Sequence, residues 1–186
     1  MVASAPTRLL TVEDLLRLSD EPRCELIEGE LVELSPAHKR HGVIQNRFAR
    51  RLGRYFDAHP DLGDVWVGDT GFVVGDALDT VCIPDAAVLT PEQSAYGEVD
   101  ETPEYMPFVP LIPVEIKSPS NTEAQIAKKL SLYLAAGARE VWWVRPTQRT
   151  VTVHRPDGVI EVLRIGDTLV TDALPGFRME LSDLFA

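Results

Sequence analysis

Apolar side chains between residues 41 and 58 recur at the spacing of one helical face. Ile44, Phe48, Leu52 and Tyr55 lie three or four residues apart, and basic side chains fill many of the other positions. Such a segment buries one side against a core and leaves the other side in water. We therefore predict an amphipathic helix over residues 41–58.

Two further helices are indicated by residues that cap helix ends. Thr11 suits an N-cap position, with acids in the first turn, and the helix runs to about residue 19. Ser120 and Glu123 have the spacing of a capping box, so a longer helix is predicted over residues 121–136. Gly137 follows it and suits the residue after a helix C-terminus.

Alternating patterns and short apolar segments predict the strands. Residues 24–34 form a hairpin that turns at Gly29, and residues 150–154 and 159–165 form a second hairpin. Pro84 lies inside one apolar segment, which suggests a bulge or an edge position there. The other strands are predicted at residues 64–68, 70–74, 81–89, 111–117 and 140–144.

The order of these elements favours an α/β fold, or α+β by a stricter definition. A strand–helix–strand unit over residues 111–144 implies two parallel strands joined by a right-handed crossover. We expect one domain over residues 1–186, with a mixed sheet flanked by helices and hairpins in its N-terminal and C-terminal parts. Residues 1–8 are interpreted as a loose tail, residues 90–109 as an acidic loop, and residues 174–185 as a loop ending in a helical turn.

Composition limits the class of protein. The 186 residues are 45% hydrophobic and 25% charged, as is typical of soluble globular proteins. No apolar segment is long enough to cross a bilayer, and residues 1–8 lack the apolar stretch of a signal peptide, so a cytoplasmic location is expected. Cys24 and Cys82 form no CxxC pair, which argues against a zinc site built on cysteines. Buried reduced thiols are the favoured interpretation, and a disulfide is the alternative.

The formal net charge of −11 argues against a broad nucleic-acid surface, because such binding depends on neutralising phosphates. It does not argue against a nuclease, since a site for divalent cations needs several carboxylates. Any basic surface must therefore be local. The obvious candidate is the helix over residues 41–58 with the two residues before it. Its basic side either contacts phosphate or is a solvated face or a partner for the acidic loop or another subunit. Its basic residues are Lys39, Arg40, Arg47, Arg50, Arg51 and Arg54, with Asp57 as the one acid.

Charged residues within apolar strands are the candidates for chemistry. Glu115 and Lys117 share one face of the strand over residues 111–117, although such a pair is often an ion pair on a solvated edge. Asp85 lies within an otherwise apolar strand, where a charge is costly unless it is paired or bound to metal. The alternative is a turn or cap aspartate. Glu25 lies similarly in the first hairpin, with a solvent-facing position as its alternative.

These residues resemble the signature of the PD-(D/E)XK nuclease superfamily, which combines Pro84-Asp85 with Glu115-x-Lys117. Within it, the chain is similar to the Uma-two family of putative restriction endonucleases from about residue 10 to residue 185. The matching stretches are residues 25–31, Ser35-Pro36 with His41 and Ile44, Pro84-Asp85, residues 114–120, Lys129 with Tyr133, residues 136–137, 141–142 and 174–177.

The resemblance implies roles for the candidate residues. Asp85 and Glu115 would be metal ligands, the Ile116 carbonyl would add a ligand, and Lys117 would be the conserved lysine. Glu25 would be an additional acid that completes the metal shell or orients a water. His41 would contact phosphate or the hydrated metal; His38 is a less well spaced candidate for this position.

The resemblance also implies a function. We expect an endonuclease that hydrolyses phosphodiester bonds, with DNA as substrate and Mg²⁺ as cofactor, for which Mn²⁺ can substitute. A homodimer is expected, because double-strand cutters of this superfamily often act as dimers. One alternative is a nuclease-like fold that cuts little and binds nucleic acid or assembles. A third hypothesis is a metal-dependent phosphoesterase acting on a smaller substrate.

Overall fold

Two mixed sheets form the body of the chain, and one segment passes directly from one sheet into the other. The computed structural model describes residues 9–18, 24–34, 36, 38–75, 77, 79–96, 104–119 and 121–186. Its helices are α1 (Val12–Leu16), α2 (Lys39–Ala58), α3 (Pro91–Ser94), α4 (Glu123–Ala135) and α5 (Leu181–Leu184), with a 3₁₀ turn at Pro60–Leu62.

Most of the predicted strands are present, and some strands are observed where none was predicted. They are β1 (Cys24–Ile27), β2 (Glu30–Glu33), β3 (Asp64–Val67), β4 (Gly71–Val73), β5 (Val81–Cys82), β6 (Ala86–Leu89), β7 (Tyr105–Met106), β8 (Ile112–Ile116), β9 (Val141–Arg145), β10 (Thr150–His154), β11 (Ile160–Arg164), β12 (Thr168–Leu169) and β13 (Met179–Glu180). Both predicted hairpins, β1–β2 and β10–β11, are confirmed. The short ribbon of β12 and β13 lies in a part of the chain where no strand was predicted.

The larger sheet has the order β11-β10-β9-β8-β6-β3, and the smaller one has the order β2-β1-β5-β4-β7. Strands β8 and β9 are parallel and are connected through α4, which confirms the predicted crossover unit. The other pairs described in the larger sheet are antiparallel. The fold is thus a mixed α/β arrangement, as predicted.

The predicted single strand over residues 81–89 is wrong, because the chain changes sheets within it. Strand β5 lies between β1 and β4 in the smaller sheet, and β6 lies between β8 and β3 in the larger sheet. Pro84 stands between the two strands and has no N–H to continue a ladder. It is therefore neither a bulge nor an edge residue but marks the crossing from one sheet to the other.

Helix α4 begins later than predicted. Thr122, not Ser120, is the N-cap residue, and its hydroxyl accepts a hydrogen bond from the N–H of Gln125. Thr122 and Gln125 have the same spacing as the predicted capping box, so the sequence contains two overlapping signals. Ser120 itself lies outside the described residues. At the other end Gly137 has a φ of +103° and follows the C-cap residue, as predicted.

The segment over residues 90–109 is not one continuous loop. Thr90 caps the short helix α3, in which Pro91 occupies the first turn. Further on, β7 pairs in parallel with β4. The side-chain amide of Gln93 donates a hydrogen bond to the Val109 carbonyl (2.7 Å), which joins the two ends of the segment. Residues 97–103 lie outside the part of the chain that the structure describes, and so do residues 1–8.

The larger sheet is covered on both faces. Helix α2 packs Ile44, Phe48 and Leu52 against one face, which confirms the predicted apolar side of this helix. Helix α4 packs Ile126 and Leu130 against the opposite face. Side chains alternate between the two faces along β8, so successive residues of that strand meet different helices.

Three sequence-based expectations concern the chain as a whole. Cys24 and Cys82 are both free thiols, and Cys82 is buried. Among the described residues, no helix combines the length and apolar composition needed to span a bilayer. The expected homodimer stays a prediction. Strand β11, at one edge of the larger sheet, carries two exposed apolar residues, Ile160 and Val162.

The turn between α2 and β3 requires glycine at position 63. Gly63 has a φ of +116°, and an added Cβ would lie 1.9 Å from the Leu89 carbonyl oxygen. We expect Gly63→Ala to lower the free energy of unfolding by more than about 1 kcal/mol, measured by urea denaturation. Gly53→Ala is the matched control: Gly53 lies inside α2 with nothing within 4 Å of an added Cβ. There alanine should stabilise by up to about 1 kcal/mol. Equal effects of the two changes would contradict this account of the turn.

Candidate active site

A cavity of about 280 Å³ lies at the carboxyl end of β8, between that strand, the N-terminal hairpin and α4. Eight ionisable side chains line it, and five of these come from five different parts of the chain. They are Glu25 from β1, His41 from α2, Asp85 from the β5–β6 connection, Glu115 from β8 and Lys129 from α4. The four candidates Glu25, His41, Asp85 and Glu115 are therefore brought together.

Glu115 is buried on the α4 side of the larger sheet. Its neighbours Val114 and Ile116 pack into the core on the α2 side, so strand alternation directs Glu115 the other way. The Tyr133 hydroxyl donates a hydrogen bond to Glu115 Oε1 (2.8 Å), and the ammonium of Lys129 lies 2.6 Å from the same oxygen. The carboxylate is thus held by two side chains of α4.

Lys129 also binds the acid of the N-terminal hairpin. Its Nζ donates to Glu25 Oε1 at 2.7 Å, and the N–H of Ile83 donates to the same oxygen at 2.7 Å. Glu25, Glu115 and Lys129 are at most 8% exposed. Buried charges persist only when they are paired and hydrogen-bonded, and this cluster meets both conditions.

Asp85 is fixed by the backbone of β8. Strand β6 pairs with β8 only as far as Ala86 and Val114, so the N–H of Ile116 lies beyond the described ladder. Asp85 Oδ2 accepts a hydrogen bond from that N–H at 2.7 Å. Gln45 of α2 donates to the Asp85 carbonyl at 2.8 Å. The carboxylate therefore stands beside the peptide that follows Glu115.

His41 lies against Asp85. Its Nε2 is 2.9 Å from Asp85 Oδ1, but the pair is not aligned as a hydrogen bond. Both ring nitrogens are buried and have no hydrogen-bond partner among the described residues. Burial lowers the pKa of His41, and His38 lowers it further, so the imidazole is neutral near pH 7. Buried polar atoms without a partner point to a water, ion or ligand at the site.

Lys117 is not among the residues that line the cavity, although the strand pattern predicted that it would share a side with Glu115. Its Nζ lies 2.8 Å from Glu123 Oε1 and donates to the Asn121 carbonyl at 3.2 Å. Strand β8 ends at Ile116, so alternation no longer fixes the direction of the next side chain. The ammonium of Lys117 instead faces the first turn of α4.

Lys129 and Tyr133 are site residues for which the sequence analysis proposed no role. The available signal was the position of Lys129 on the apolar face of its helix. Ile126, Leu130 and Tyr133 lie three, one and four residues away and are buried. A lysine on such a face needs a buried counter-ion, and the carboxylates of Glu25 and Glu115 provide two.

The electrostatics of the cluster are coupled. Burial raises the pKa of Glu115 to about 7; Lys129 opposes this shift, while Glu25 and Asp85 add to it. Burial lowers the pKa of Lys129, but Glu115 and Glu25 outweigh burial and raise it overall. Lys129 therefore carries its charge throughout the physiological range, and Glu115 titrates near neutrality in the free protein.

The chemistry of the cavity suits a divalent cation. Among the described residues, no group of three or more His, Cys, Asp or Glu side chains stands ready to hold a metal ion. However, Asp85 and Glu115 offer the carboxylate oxygens that Mg²⁺ prefers, and His41 has unpartnered nitrogens beside them. A phosphate would meet more negative than positive charge here, which a bound cation would offset. The lining acids are Glu25, Glu30, Glu33, Asp85 and Glu115, against Lys128 and Lys129.

The raised pKa of Glu115 predicts a pH-dependent stability. The folded-state pKa of Glu115, about 7, exceeds the ordinary value of 4.5. Its contribution to the free energy of unfolding is therefore fully present below pH 4.5 and is lost as pH rises through about 7. Glu115→Gln removes that dependence. The free energy of unfolding is measured for both proteins by urea denaturation without metal. We expect the value for Glu115→Gln minus the value for the unmodified protein to increase by up to roughly 3 kcal/mol from pH 4.5 to pH 7.

The control for this prediction is Glu123→Gln. Lys117 lowers the pKa of the Glu123 carboxyl, so its stabilising contribution is present above pH 4.5 and is lost as pH falls below it. The effect of Glu123→Gln on stability should therefore be constant between pH 4.5 and 7. A flat difference between Glu115→Gln and the unmodified protein across pH 4.5–7 would contradict the raised pKa of Glu115.

Comparison with known proteins agrees with these observations. A crystal structure at 1.96 Å resolution of a putative nuclease belonging to DUF820, from Anabaena variabilis, has a TM-score of 0.83 with this chain. The two sequences are 22% identical, and the match covers 95% of this chain and 97% of the other, which shows a shared fold. No curated protein matches the chain. The Uma2 (Uma-two) family model, described as "Putative restriction endonuclease", matches residues 12–182. The chain therefore belongs to this family, as its sequence motifs predicted.

Proposed function

We propose that the chain is an endonuclease that hydrolyses phosphodiester bonds in DNA, with Mg²⁺ as its cofactor and Mn²⁺ as a substitute. Membership of a family described as putative restriction endonucleases supports nuclease activity. The observation that carries the proposal is the convergence of Glu25, Asp85, Glu115 and Lys129 on one cavity. An acidic cluster that contains a fixed cation suits chemistry on a phosphate, where charge must be neutralised locally.

In this proposal Asp85 and Glu115 hold the divalent cation, and the Ile116 carbonyl between them is a further ligand. A bound Mg²⁺ would supply Lewis-acid polarisation of the phosphoryl group and offset its negative charge. The hydrogen bond from the Ile116 N–H to Asp85 fixes the aspartate beside the backbone of β8. The strand itself thereby sets the spacing of the two acids.

Lys129 acts as the fixed cation of the site. Its ammonium lies between Glu25 and Glu115 and lines the cavity. We assign to it the stabilisation of negative charge that develops on the phosphate. Glu25 is then a positioning residue, because it holds the ammonium from the side opposite Glu115 and is itself fixed by the N–H of Ile83.

His41 orients water or phosphate in this proposal. Asp85 lies beside Nε2, so Nδ1 is the nitrogen that remains for an incoming oxygen. The neutral imidazole can accept or donate one hydrogen bond there without adding charge. Lys117 stays a candidate at the rim, since its partner Asn121 lines the cavity.

A second candidate function is nucleic-acid binding or assembly with little cleavage. The specific observation that favours it is the internal pairing of the acids. Lys129 binds Glu25 and Glu115, so both carboxylates have partners within the chain itself. Such a site is stable without a metal ion. Its catalytic activity depends on how readily a divalent metal ion replaces the ammonium of Lys129 as the partner of Glu115.

The two candidates differ in a cleavage assay. We incubate the purified chain with plasmid DNA, single-stranded DNA and RNA, in Mg²⁺, Mn²⁺ or EDTA. We expect metal-dependent nicking of plasmid that falls at least about 100-fold in Asp85→Asn, because one metal-holding carboxylate is lost. Asp57→Asn, an exposed carboxylate near the end of α2, should keep full activity.

Each outcome decides between the candidates. Cleavage that persists equally in Asp85→Asn reflects a contaminant and rejects the proposed site. Binding of nucleic acid without cleavage of any substrate, in either metal, favours the second candidate function. Cleavage of RNA alone would retain the nuclease and reject DNA as the substrate.

The two lysines are distinguished by matched substitutions. Lys129→Met keeps the length of the side chain but removes the cation from the cavity, so we expect the cleavage rate to fall about 100-fold or more. Lys117→Met removes a cation bound to Glu123 and should cost less than about 10-fold. The rates are measured under single-turnover conditions on the same plasmid.

Loss of Lys129 also leaves two buried carboxylates without their cation, which can unfold the protein. The variant Glu25→Gln/Lys129→Met removes one of those charges and serves as the folding control, checked by circular dichroism. A folded double variant that cleaves at the unmodified rate would reject Lys129 as the catalytic cation. A larger loss in Lys117→Met than in Lys129→Met would assign that role to Lys117.

A further inference from the structure

A second cavity, of about 340 Å³, lies on the other side of the first turns of α2 and is lined by basic residues. Lys39, Arg40 and Arg47 come from α2, and Arg149 comes from the turn between β9 and β10. Its apolar wall is formed by Val43, Ile44, Pro146 and Phe185, and Ala186 completes the lining. No aspartate or glutamate is among the described residues that line it.

The cations of this second cavity are largely unneutralised. Lys39, Arg40 and Arg149 are exposed and form no ion pair or side-chain hydrogen bond with the described residues. Arg47 donates a hydrogen bond to the Leu184 carbonyl, which fixes its side chain without cancelling its charge. By contrast Arg51, one turn further along α2, is paired with an aspartate of α5 at 2.7 Å. Unpaired cations in a concave site attract a polyanion.

The two cavities are neighbours at the start of α2, although they share no lining residue. Arg40 lines the second cavity, and the next residue, His41, lines the first. Strands β8 and β9 are parallel, so their carboxyl ends lie at the same edge of the sheet. The first cavity is built at the end of β8, and Pro146 and Arg149 follow the end of β9. Both cavities therefore lie at the same edge of the larger sheet, next to each other along α2.

We propose that the second cavity binds the phosphodiester backbone of nucleic acid next to the cleaved phosphate. This inference rests on the proposed function for the identity of the polyanion. Exposed arginine and lysine side chains contact phosphate oxygens, and the apolar wall suits the sugar or base edge between two phosphates. An acidic protein surface offers the same charge but no regular phosphate spacing and no sugar to meet that wall.

Binding without cleavage tests the proposal. The affinity of the full chain for a fluorescently labelled single-stranded oligonucleotide and for a duplex is measured by anisotropy, in EDTA, between 50 and 200 mM NaCl. We expect Arg40→Glu/Arg149→Glu to weaken binding at least about 10-fold at the lowest salt. The slope of log affinity against log salt should fall by about two, since two phosphate contacts are lost.

The matched control is Arg139→Glu/Arg178→Glu, which makes the same change in charge at two exposed arginines that line neither cavity. Equal weakening by both double variants shows a general effect of net charge and overturns the proposal. An unchanged salt slope in Arg40→Glu/Arg149→Glu overturns it too. So does equal competition by polyglutamate of the same charge, which assigns the cavity to an acidic protein partner.

Failure of this inference and failure of the proposed function remain distinct. Binding through the second cavity by a chain that cleaves nothing would reject the nuclease and keep the cavity. Metal-dependent cleavage with oligonucleotide binding that is insensitive to Arg40→Glu/Arg149→Glu would keep the nuclease and reject the cavity.

Discussion

The ammonium of Lys129 joins three parts of the fold at one point. Glu25 belongs to the smaller sheet, Glu115 belongs to the larger sheet, and the lysine belongs to the helix that packs on the larger sheet. An isolated charge at this depth would be costly, and removal of one partner of a buried pair typically costs about 3–5 kcal/mol. The relative position of the two sheets at the cavity therefore depends on this contact. The same contact keeps two carboxylates close together, where mutual repulsion would otherwise separate them.

The crossing at Pro84 and Asp85 is the second constraint on the cavity. Proline cannot continue the ladder of either sheet, so the chain leaves one sheet and enters the other within a few residues. That crossing leaves the N–H of Ile116 beyond the end of the β6–β8 ladder, and the Asp85 carboxylate accepts its hydrogen bond. An aspartate here satisfies a buried backbone donor and also places an acid next to Glu115. The backbone hydrogen bond and the proposed metal site thus depend on the same residue.

Sequence patterns predicted the elements and the acids but not the cation between them. Asp85 and Glu115 stand out in the sequence because each is a charge within an apolar segment, and the spacing of Ile44, Phe48 and Leu52 identified α2 and its buried side. Lys129 has a comparable signal on α4, but only the three-dimensional packing shows which acids neutralise it. Strand alternation failed for Lys117 because the strand ends one residue earlier. The overlapping capping boxes before α4 could not be separated by spacing, since both fit the same rule.

The roles proposed for the two cavities must be reconciled with the net charge of −11, which opposes the binding of a polyanion. At physiological ionic strength the Debye length is about 8 Å, so acids on distant surfaces contribute little to the potential at a given groove. The electrostatic potential at a groove is therefore set by the balance of charge close to it. Around the first cavity acids predominate, which suits a cation but repels phosphate. Around the second cavity basic side chains predominate, one residue along α2 from His41. Because the cations of the second cavity lie beside the acids of the first cavity rather than among them, they can attract a phosphate backbone without neutralising the carboxylates proposed to hold a metal ion.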